Sequence, residues 1–398
     1  MRQILTLLLL VFVFFGCTPK QVVELKLPGK QPVKEKVVPK DQDTISIVEE
    51  FTPIDIKESD NIIKEGTPQS DNSNTTGEAI EPVVSNENIQ IDATRAKIQV
   101  AFIYPSRLVE KYAKSSLNTI SGYLSYQNAD YNLVVLDSET ESYENIRLAF
   151  SKVSELGITN VIAMFTPSAI GTLNQVVSSD LKVYLPLIEK KDSLQTNNSL
   201  IFGSISYDEQ LKKLSYYSTG KNAMFYQDTY LGMKLKRTYD SLIYDTSVQK
   251  LIKKDETNFK YIVNDYKLNN SSLYLNTDIV KTSLILSQLR AYEIYPKLIF
   301  TTQVAFDPML MVLTQEQDRE RLVIANSIDD VNSKLKDEIT TYGGNITYEW
   351  VDYATLVGIN YLYYGGNSSL IPTQIVDNQV VYTPRLFKST DVGFLEIK

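Results

Sequence analysis

The sequence lacks histidine altogether, and its 398 residues include one cysteine, Cys17. The absence of histidine excludes a Ser-His-Asp or Cys-His catalytic site and any metal site with histidine ligands. A single cysteine excludes an internal disulfide bond and a cysteine-based zinc site. An enzyme built on this chain would depend on carboxylates, lysine, tyrosine, serine or threonine, and two carboxylates are enough for a glycosidase. We expect neither a metal nor a cofactor.

Positive charge is also scarce, because the formal net charge is -8. Nucleic-acid-binding proteins need a basic surface, so this balance argues against a nucleic-acid partner. Tyrosine, in contrast, is abundant, with 26 residues. Tyrosine combines a large apolar ring with a polar tip, which suits buried strands as well as binding surfaces.

The N-terminus has the pattern of a signal peptide over residues 1–16. A positive start precedes an apolar run, residues 4–15, that is too short to span a membrane comfortably. Gly16-Cys17 then resembles the lipobox of bacterial lipoproteins, in which the cysteine is lipidated and becomes the mature N-terminus. Phe14 and Phe15 stand where leucine and a small residue are usual. An ordinary signal peptide or an uncleaved anchor is the alternative. Thr18 is not the aspartate of the inner-membrane retention signal, so the resemblance implies a Gram-negative outer-membrane lipoprotein that faces the periplasm.

Residues 17–95 are predicted to form a disordered linker behind the lipidated cysteine. Proline, charged and small polar residues surround isolated valines and isoleucines without any sustained period. Such a stretch buries too little apolar surface to offset the entropy lost on folding. Its first part is rich in lysine, and the part from Asp41 to Asp92 is mainly acidic. A linker of this length allows the head to act at some distance from its membrane.

The head, residues 96–398, alternates short apolar runs with helical patterns. The run 97–104 is rich in isoleucine, valine and aromatic residues, as in a strand buried on both faces of a parallel sheet. We predict an α/β fold with a first lobe at about 96–218, a second lobe at about 219–345 and a C-terminal segment that crosses back. Further predicted strands are 132–136, 160–165, 182–186, 200–202, 223–226, 248–252, 272–276, 297–301, 322–325, 379–382 and 392–395, and residues 258–270 are ambiguous. Predicted helices include 108–126, 143–156, 208–217, 278–292, 309–313, 330–342 and 356–364, with Ser142 and Asp278 as expected N-caps and Gly157 as the expected stop of the helix 143–156. Residues 228–232 are predicted to form a loop, followed by a helix to about residue 244.

Three local motifs resemble the type I periplasmic-binding-protein family. Thr166-Pro167-Ser168 resembles its Gly-Pro-x-Ser loop, with threonine in place of glycine. The stretch from Tyr226 to Gly232 resembles the strand and Asp-x-x-Tyr-Gly that open the second lobe. Asp352-Tyr353 resembles a late Tyr-Asp pair in reversed order. The resemblance covers residue 97 to the end and implies a two-lobed fold, with mainly parallel sheets flanked by helices and a central cleft.

The resemblance also implies where a ligand would bind. Amino-acid receptors of this family hold the ligand carboxylate on hydroxyl groups and on backbone N–H groups at helix N-termini, which carry a partial positive charge. Ser168 stands at the matching position. Other loop residues expected at the cleft are Ser106, Glu189, Asp228, Tyr230 and Thr302, and Glu189 or Asp228 would pair with a ligand ammonium. The alternative for each is a helix cap or a solvated loop residue.

Three functions remain open on this sequence. The first is a non-enzymatic envelope lipoprotein whose head binds a protein partner, similar in layout to the outer-membrane activators of penicillin-binding proteins. The long tether favours it, as do Arg107 and Leu108, which are bulky where the receptors tend to have a small residue. The second is a solute receptor that delivers an amino acid or similar ligand to an ABC transporter. The third is an enzyme with carboxylates such as Glu189 and Asp192, or Asp307, although no pair has a diagnostic spacing.

Overall fold

The computed structural model describes residues 98–195 and 197–397. Cys17, the predicted signal peptide and the predicted linker therefore lie outside the described residues. Within the described part of the chain, no helix combines the length and the apolar character needed to cross a membrane.

Within residues 98–195 and 197–397, fourteen strands form two sheets of seven, and most neighbouring strands are parallel. The first sheet has the order β11-β12-β5-β4-β3-β1-β2, and the second has the order β14-β13-β10-β9-β8-β6-β7. The strands of the first sheet are β1 (Ile98–Tyr104), β2 (Tyr131–Asp137), β3 (Asn160–Ala163), β4 (Lys182–Leu185), β5 (Leu200–Phe202), β11 (Gln374–Val376) and β12 (Gln379–Val381). Those of the second are β6 (Asn222–Gln227), β7 (Thr246–Ile252), β8 (Ser272–Asn276), β9 (Leu298–Thr301), β10 (Leu322–Asn326), β13 (Arg385–Ser389) and β14 (Phe394–Ile397).

Helices connect the strands and cover both faces of each sheet. They are α1 (Ser106–Tyr126), α2 (Tyr143–Glu155), α3 (Ile170–Val176), α4 (Tyr207–Ser215), α5 (Tyr230–Leu242), α6 (Lys260–Val263), α7 (Ile279–Ala291), α8 (Met309–Leu313), α9 (Glu316–Arg319), α10 (Ser333–Thr341) and α11 (Trp350–Tyr364). In β1, Val100 and Phe102 join a core cluster with α1, α10 and α11. Ala101 and Ile103 point to the other face and pack with α2 and α3. Because successive side chains of β1 point to opposite faces of the sheet, this strand contributes to two separate cores.

Side-chain caps fix several helix starts at the residues that the sequence suggested. Ser142 accepts a hydrogen bond from the N–H of Asn145 at 3.3 Å, and Asp278 accepts one from Lys281 at 2.8 Å. Gly157 has a φ of 66°, which only glycine adopts without strain, and it lies just beyond the end of α2. These local signals position the loops that connect each strand to the next helix.

The chain passes between the lobes at residues 203–206, 327–332 and 382–384. As a consequence, α4 packs against α5 and β10 of the second lobe, and α10 packs against α1 of the first. These crossings differ from the lobe limits near 218 and 345 that sequence analysis proposed. Burial explains the difference, because the apolar faces of α4 and α10 each complete a core on the far side of a crossing.

The C-terminal part departs most from the sequence-based prediction. The helix predicted at 356–364 begins at Trp350, so Asp352 and Tyr353 lie inside α11 rather than before it. The strands β11 and β13 were not predicted. Strand β11 is three residues long and sits at a sheet edge, where periodicity carries little signal.

Candidate functional site

The loops that follow strands at the carboxyl edges of the two sheets contain the predicted cleft residues. Ser106 is the first residue of α1, directly after β1. Its N–H group donates a hydrogen bond to Oδ1 of Asp137 at 3.1 Å. The same oxygen accepts the N–H of Glu139 at 2.6 Å. A helix N-terminus attracts anions through its unpaired N–H groups and its dipole, and here a carboxylate of the same chain takes that place.

The turn that follows β3 is occupied in the same way. The N–H of Thr166 donates to Oε1 of Glu141 at 2.5 Å, and the Thr166 hydroxyl donates to Oε2 at 2.7 Å. The hydroxyl of Ser168 also donates to Oε2 of Glu141. One carboxylate therefore accepts three hydrogen bonds from the turn that contains Ser168, the residue that the family resemblance assigned to a ligand carboxylate. Burial raises the pKa of Glu141, and the hydrogen bonds from Ser168 and Thr166 oppose that rise.

Both carboxylates belong to residues 137–141, which we call the acidic loop, between β2 and α2. Its third acid, Glu139, forms a salt bridge with Arg107 at 2.9 Å, and the Arg107 N–H donates to the Glu139 carbonyl. Glu139 has a φ of 56°, a left-handed backbone that a glutamate rarely adopts. Strained backbone persists where the surroundings hold it in place. The acidic loop thus places a carboxylate on the first turn of α1, on Arg107 and on the Thr166–Ser168 turn.

Glu189 lies away from that turn, where the first lobe contacts the second. It is buried after β4 and pairs with Lys191 at 3.1 Å and with Lys234 of α5 at 3.5 Å. Lys191 also reaches Asp208 of α4 at 2.5 Å. Because α4 and α5 belong to the second lobe, these ion pairs join the two lobes. A cavity of about 310 Å³ lies beside them and is lined in part by Glu189, Lys191 and Tyr382.

The pKa shifts of these ion-paired residues show whether burial or the neighbouring charges and hydrogen bonds have the larger effect on each group. Burial raises the pKa of Glu189 despite the neighbouring Lys234 and Lys191 ammonium groups. For Lys191, burial lowers the pKa, but the hydrogen bond to Asp208 and the nearby carboxylates raise it overall. For Asp208, burial is outweighed by hydrogen bonds from Lys191 and Thr238, so its pKa is lowered. The Lys191–Asp208 pair is thus held in its charged form.

The remaining predicted residues lie on the second lobe. Asp228 is exposed in the loop after β6, where its N–H donates to the Ile252 carbonyl. Tyr230 begins α5 and is half-buried. Thr302 is buried after β9, and among the described residues its hydroxyl has no hydrogen-bond partner. The structure therefore brings Ser106 and Ser168 together through the acidic loop, joins Glu189 to Lys234, and sets Asp228, Tyr230 and Thr302 on the opposite lobe.

The acidic loop is the part of the site that sequence reasoning missed. The signal in the sequence is the presence of three acids among the five residues 137–141, at the end of a predicted strand. The fold then places this loop beside the hydroxyl groups of the Thr166–Ser168 turn. Two of the carboxylates weighed for catalysis accept hydrogen bonds at the starts of short helices. Asp192 accepts the N–H of Glu189 in a capping box, and Asp307 accepts the N–H of Met309 at the start of α8. Among the described residues, no group of three or more acids and cysteines could hold a metal ion.

Comparisons with known proteins identify the fold. No family model matches the sequence, and no curated protein matches it. Among solved structures, a Rhodospirillum rubrum protein assigned to branched-chain amino acid ABC transport has a TM-score of 0.61 at 10% identity, over 75% of this chain and 99% of its own. The LivJ substrate-binding protein of Streptococcus pneumoniae, solved with isoleucine, has a TM-score of 0.55 at 10% identity, over 75% and 99%.

A third similar structure belongs to a different functional class. The C-domain of LpoA from Haemophilus influenzae, a regulator of PBP1A, has a TM-score of 0.52 at 12% identity, over 75% of this chain and all 100% of that domain. These neighbours are binding proteins and a regulator. At such identities the likeness shows the fold alone, and the fold accommodates both amino-acid receptors and a regulator of another protein.

Proposed function

Starting from the two-lobed type I periplasmic-binding-protein fold, we propose that this head binds a protein partner in the cell envelope and catalyses no reaction. The observation that carries the proposal is the carboxylate of Glu141 on the Thr166–Ser168 turn. A ligand carboxylate could bind there only by displacing one that is already attached to the chain. An attached group competes at an effective concentration in the millimolar range or above, so a free ligand needs a corresponding excess of affinity.

The rest of the first-lobe edge supports the same proposal. Asp137 occupies the N-terminus of α1, and Arg107 is paired with Glu139, so the bulky residue noted in the sequence is held by the acidic loop. Glu189, which was a candidate partner for a ligand ammonium, already has two lysine partners. The groups that would recognise an amino acid on this lobe are thus satisfied within the chain.

We further propose that the partner is a factor of cell-wall synthesis or envelope assembly. The similarity to the LpoA C-domain, a regulator of PBP1A, supports this class of partner. Cys17 would carry the lipid, the linker would supply the reach, and the head would face the periplasm from the outer membrane. Lipid attachment and the choice of membrane rest on the resemblance of residues 1–18 to lipoprotein signals.

The second candidate is a solute receptor for an ABC transporter. One observation favours it: Asp228 is exposed at the carboxyl edge of the second lobe, and among the described residues its carboxylate has no hydrogen-bond partner. In a receptor, the Asp228 carboxylate would bind a ligand ammonium. Glu141 would move aside so that the ligand carboxylate could bind at the Thr166–Ser168 turn. The similarity to LivJ, solved with isoleucine, is consistent with this candidate.

A ligand screen separates the two candidates. The chain without its signal peptide, residues 18–398, is refolded from denaturant to remove any retained ligand and then unfolded by heat with amino acids, short peptides and cell-wall fragments. A ligand at a hundred times its Kd adds about 2.7 kcal/mol of stability, which raises the Tm by several degrees. We expect no shift with any amino acid. A clear shift with one chemical class would instead support the receptor.

A further inference from the structure

Strand β2 has no neighbouring strand on one of its two sides. It is seven residues long, it lies at one end of the first sheet, and β1 pairs with its whole length. At the two ends of this pairing, β1 donates a hydrogen bond to the Asp130 carbonyl at 3.2 Å and accepts one from the N–H of Ser138 at 2.9 Å. Because successive residues of a strand point their N–H and C=O groups to opposite sides, the odd-numbered residues from Tyr131 to Asp137 present theirs on the open side. Among the described residues, no strand pairs with these groups.

The other three edges of the two sheets, within the part of the chain that the structure describes, are shorter or protected. Strand β11 has three residues and β14 has four. Strand β7 has seven, but its Lys250 donates to the Ile262 carbonyl at 2.7 Å, and residues 266–268 pack against the strand. Lysines and covering segments protect sheet edges from unwanted pairing. Strand β2 contains neither lysine nor proline, so it is the long open edge.

The residues of β2 are complementary to their own reversed order. If two copies of the strand run antiparallel around Val134, Leu133 of one copy stands opposite Val135 of the other. At the ends of the pair, Tyr131 stands opposite Asp137. Apolar residues therefore meet in the middle, and no two like charges are directly opposite. The odd-numbered residues face one another, so their outward N–H and C=O groups would find partners. Tyr131 and Val135 are 41% and 44% exposed, and this pairing would cover both.

Charge separates a second copy from the linker as the occupant of this edge. Residues 127–141, which comprise β2 and its two flanking loops, contain four acids and no base. Residues 41–95, the linker before β1, contain 13 acids and three bases, so the two segments repel each other. In the antiparallel pair, Asp130 of one copy comes to Ser138 of the other, beside Arg107, whose side chain is 69% exposed. A second copy therefore supplies a positive charge where the linker supplies further acids.

We propose that β2 pairs antiparallel with β2 of a second copy of this chain, on a two-fold axis that passes Val134. The two first sheets then form one sheet of fourteen strands, and both open edges disappear. Heads tethered by Cys17 to one membrane meet at a raised local concentration, which favours a second copy over a strand from a freely diffusing protein. That argument takes the tether from the proposed function, whereas the pairing itself goes beyond it and leaves the second lobe free for a different partner.

Sedimentation of the chain without its signal peptide, residues 18–398, tests the pairing. We expect a monomer–dimer equilibrium that shifts toward the dimer as the concentration rises. Val135→Lys places a charge opposite Leu133 of the second copy and should raise the Kd of the dimer at least about tenfold. Val135→Thr keeps a β-branched side chain at the same position and should leave the dimer largely intact. Because Val135 is 44% exposed in the single chain, we expect both variants to fold.

Single cysteines test the position of the axis. Residues 18–398 contain no cysteine, so an introduced cysteine is the only one. The two Val134 residues form a non-hydrogen-bonded pair with Cα atoms about 4.5 Å apart, a separation that suits a disulfide bond. Val134→Cys should therefore give a disulfide-linked dimer when copper phenanthroline oxidises the two thiols. The two Asn132 residues lie about 14 Å apart along the strands, so Asn132→Cys should give far less.

The outcomes also separate a second copy from other occupants of the edge. A wild type that stays monomeric at every concentration would overturn the pairing, and protection of the Leu133 and Val135 amides from hydrogen exchange in that monomer would assign the edge to the linker instead. A dimer that survives Val135→Lys, or equal disulfide yields from Val134→Cys and Asn132→Cys, would place the contact elsewhere. None of these results bears on the proposed protein partner or on a small ligand, which the ligand screen addresses.

Discussion

Folding buries the carboxyl groups of Asp352 and Glu141 in the first lobe. The two groups differ in the hydrogen-bond donors that replace their water. Glu141 gains the three donors of Thr166 and Ser168 in a half-exposed loop. Asp352 is 1% exposed inside α11, where Ser115 and the N–H of Asn345 donate to its Oδ2. Burial raises the pKa of Asp352 to about 6, although both hydrogen bonds act to lower it. The two hydrogen bonds thus stabilise the charged carboxylate less than the water that it loses on folding.

The raised pKa predicts a pH-dependent effect of Asp352→Asn. The folded state binds the proton more tightly than the unfolded state, so this group contributes its full stability below pH 3.8 and loses it as the pH rises through about 6. The loss amounts to about 3 kcal/mol. The free energy of unfolding of the variant, measured by denaturant titration, should therefore gain about 2 kcal/mol relative to the wild type between pH 4 and pH 7, because part of the total is already lost at pH 4. A difference that stays constant over this range would contradict the assignment.

At the scale of elements, the sequence predicted those parts of the fold that local chemistry determines. The strands 200–202 and 272–276 and the helix 309–313 lie where they were predicted, and the caps Ser142 and Asp278 begin their helices. Their boundaries depend on residues within a few positions along the chain. The first turn of α5, predicted as loop, depends instead on Gly232, which packs against the carbonyl of Gln227.

Two glycine substitutions test this packing against helix propensity. A Cβ at Gly232 would lie 2.2 Å from the Gln227 carbonyl oxygen, so Gly232→Ala must displace the start of α5. We expect a loss of about 2 kcal/mol or more in unfolding free energy. Gly171 in α3 has no atom within 4 Å of such a Cβ, and Gly171→Ala should gain about 0.5 kcal/mol. Equal effects of the two substitutions in denaturant titrations would refute the explanation.

The candidate site was only partly predictable for the same reason. Ser106 and Ser168 were placed after strands by pattern, but their partners come from 31 and 27 positions away along the chain. Such contacts follow from the order β2-β1-β3 of the first sheet, which brings the acidic loop over the start of α1 to the Thr166–Ser168 turn. Periodicity and spacing carry no information about a side chain that reaches across two strands.

For the whole molecule, the segments that join the lobes are bonded to one another. The hydroxyl of Tyr382 in the third crossing donates to the Gly203 carbonyl in the first at 2.6 Å. Arg385 donates to the carbonyl of Ile328 at 2.6 Å and pairs with Asp329, both in the second crossing. The Lys191–Asp208 pair also joins the first lobe to the second, and we expect these bonds together to restrain hinge opening. The proposed binding of a protein partner does not require a cleft that closes around a small ligand.

Distances between spin labels test this rigidity. In the chain without Cys17, cysteines replacing Leu148 in the first lobe and Tyr244 in the second provide one label each. We expect a single narrow distance distribution in pulsed electron resonance, unchanged by added amino acids. Tyr382→Phe should broaden it, whereas Tyr364→Phe, whose hydroxyl bonds Gln127 within the first lobe, should not. A wild-type distribution that shifts on addition of a ligand would show a working receptor hinge.

The most direct test of the central claim is to ask whether a free carboxylate can replace Glu141. Glu141→Ala leaves the Thr166 N–H without its acceptor and leaves the hydroxyls of Thr166 and Ser168, 2.8 Å apart, with only each other as partners, which should cost about 1–3 kcal/mol of unfolding free energy. Acetate should restore much of that loss in this variant and change neither the wild type nor Glu144→Ala, which loses an exposed partner of Arg147. Two results would contradict the claim that the Glu141 carboxylate occupies the binding position on the Thr166–Ser168 turn: stabilisation of the wild type by acetate or an amino acid, or a Glu141→Ala variant whose stability acetate leaves unchanged.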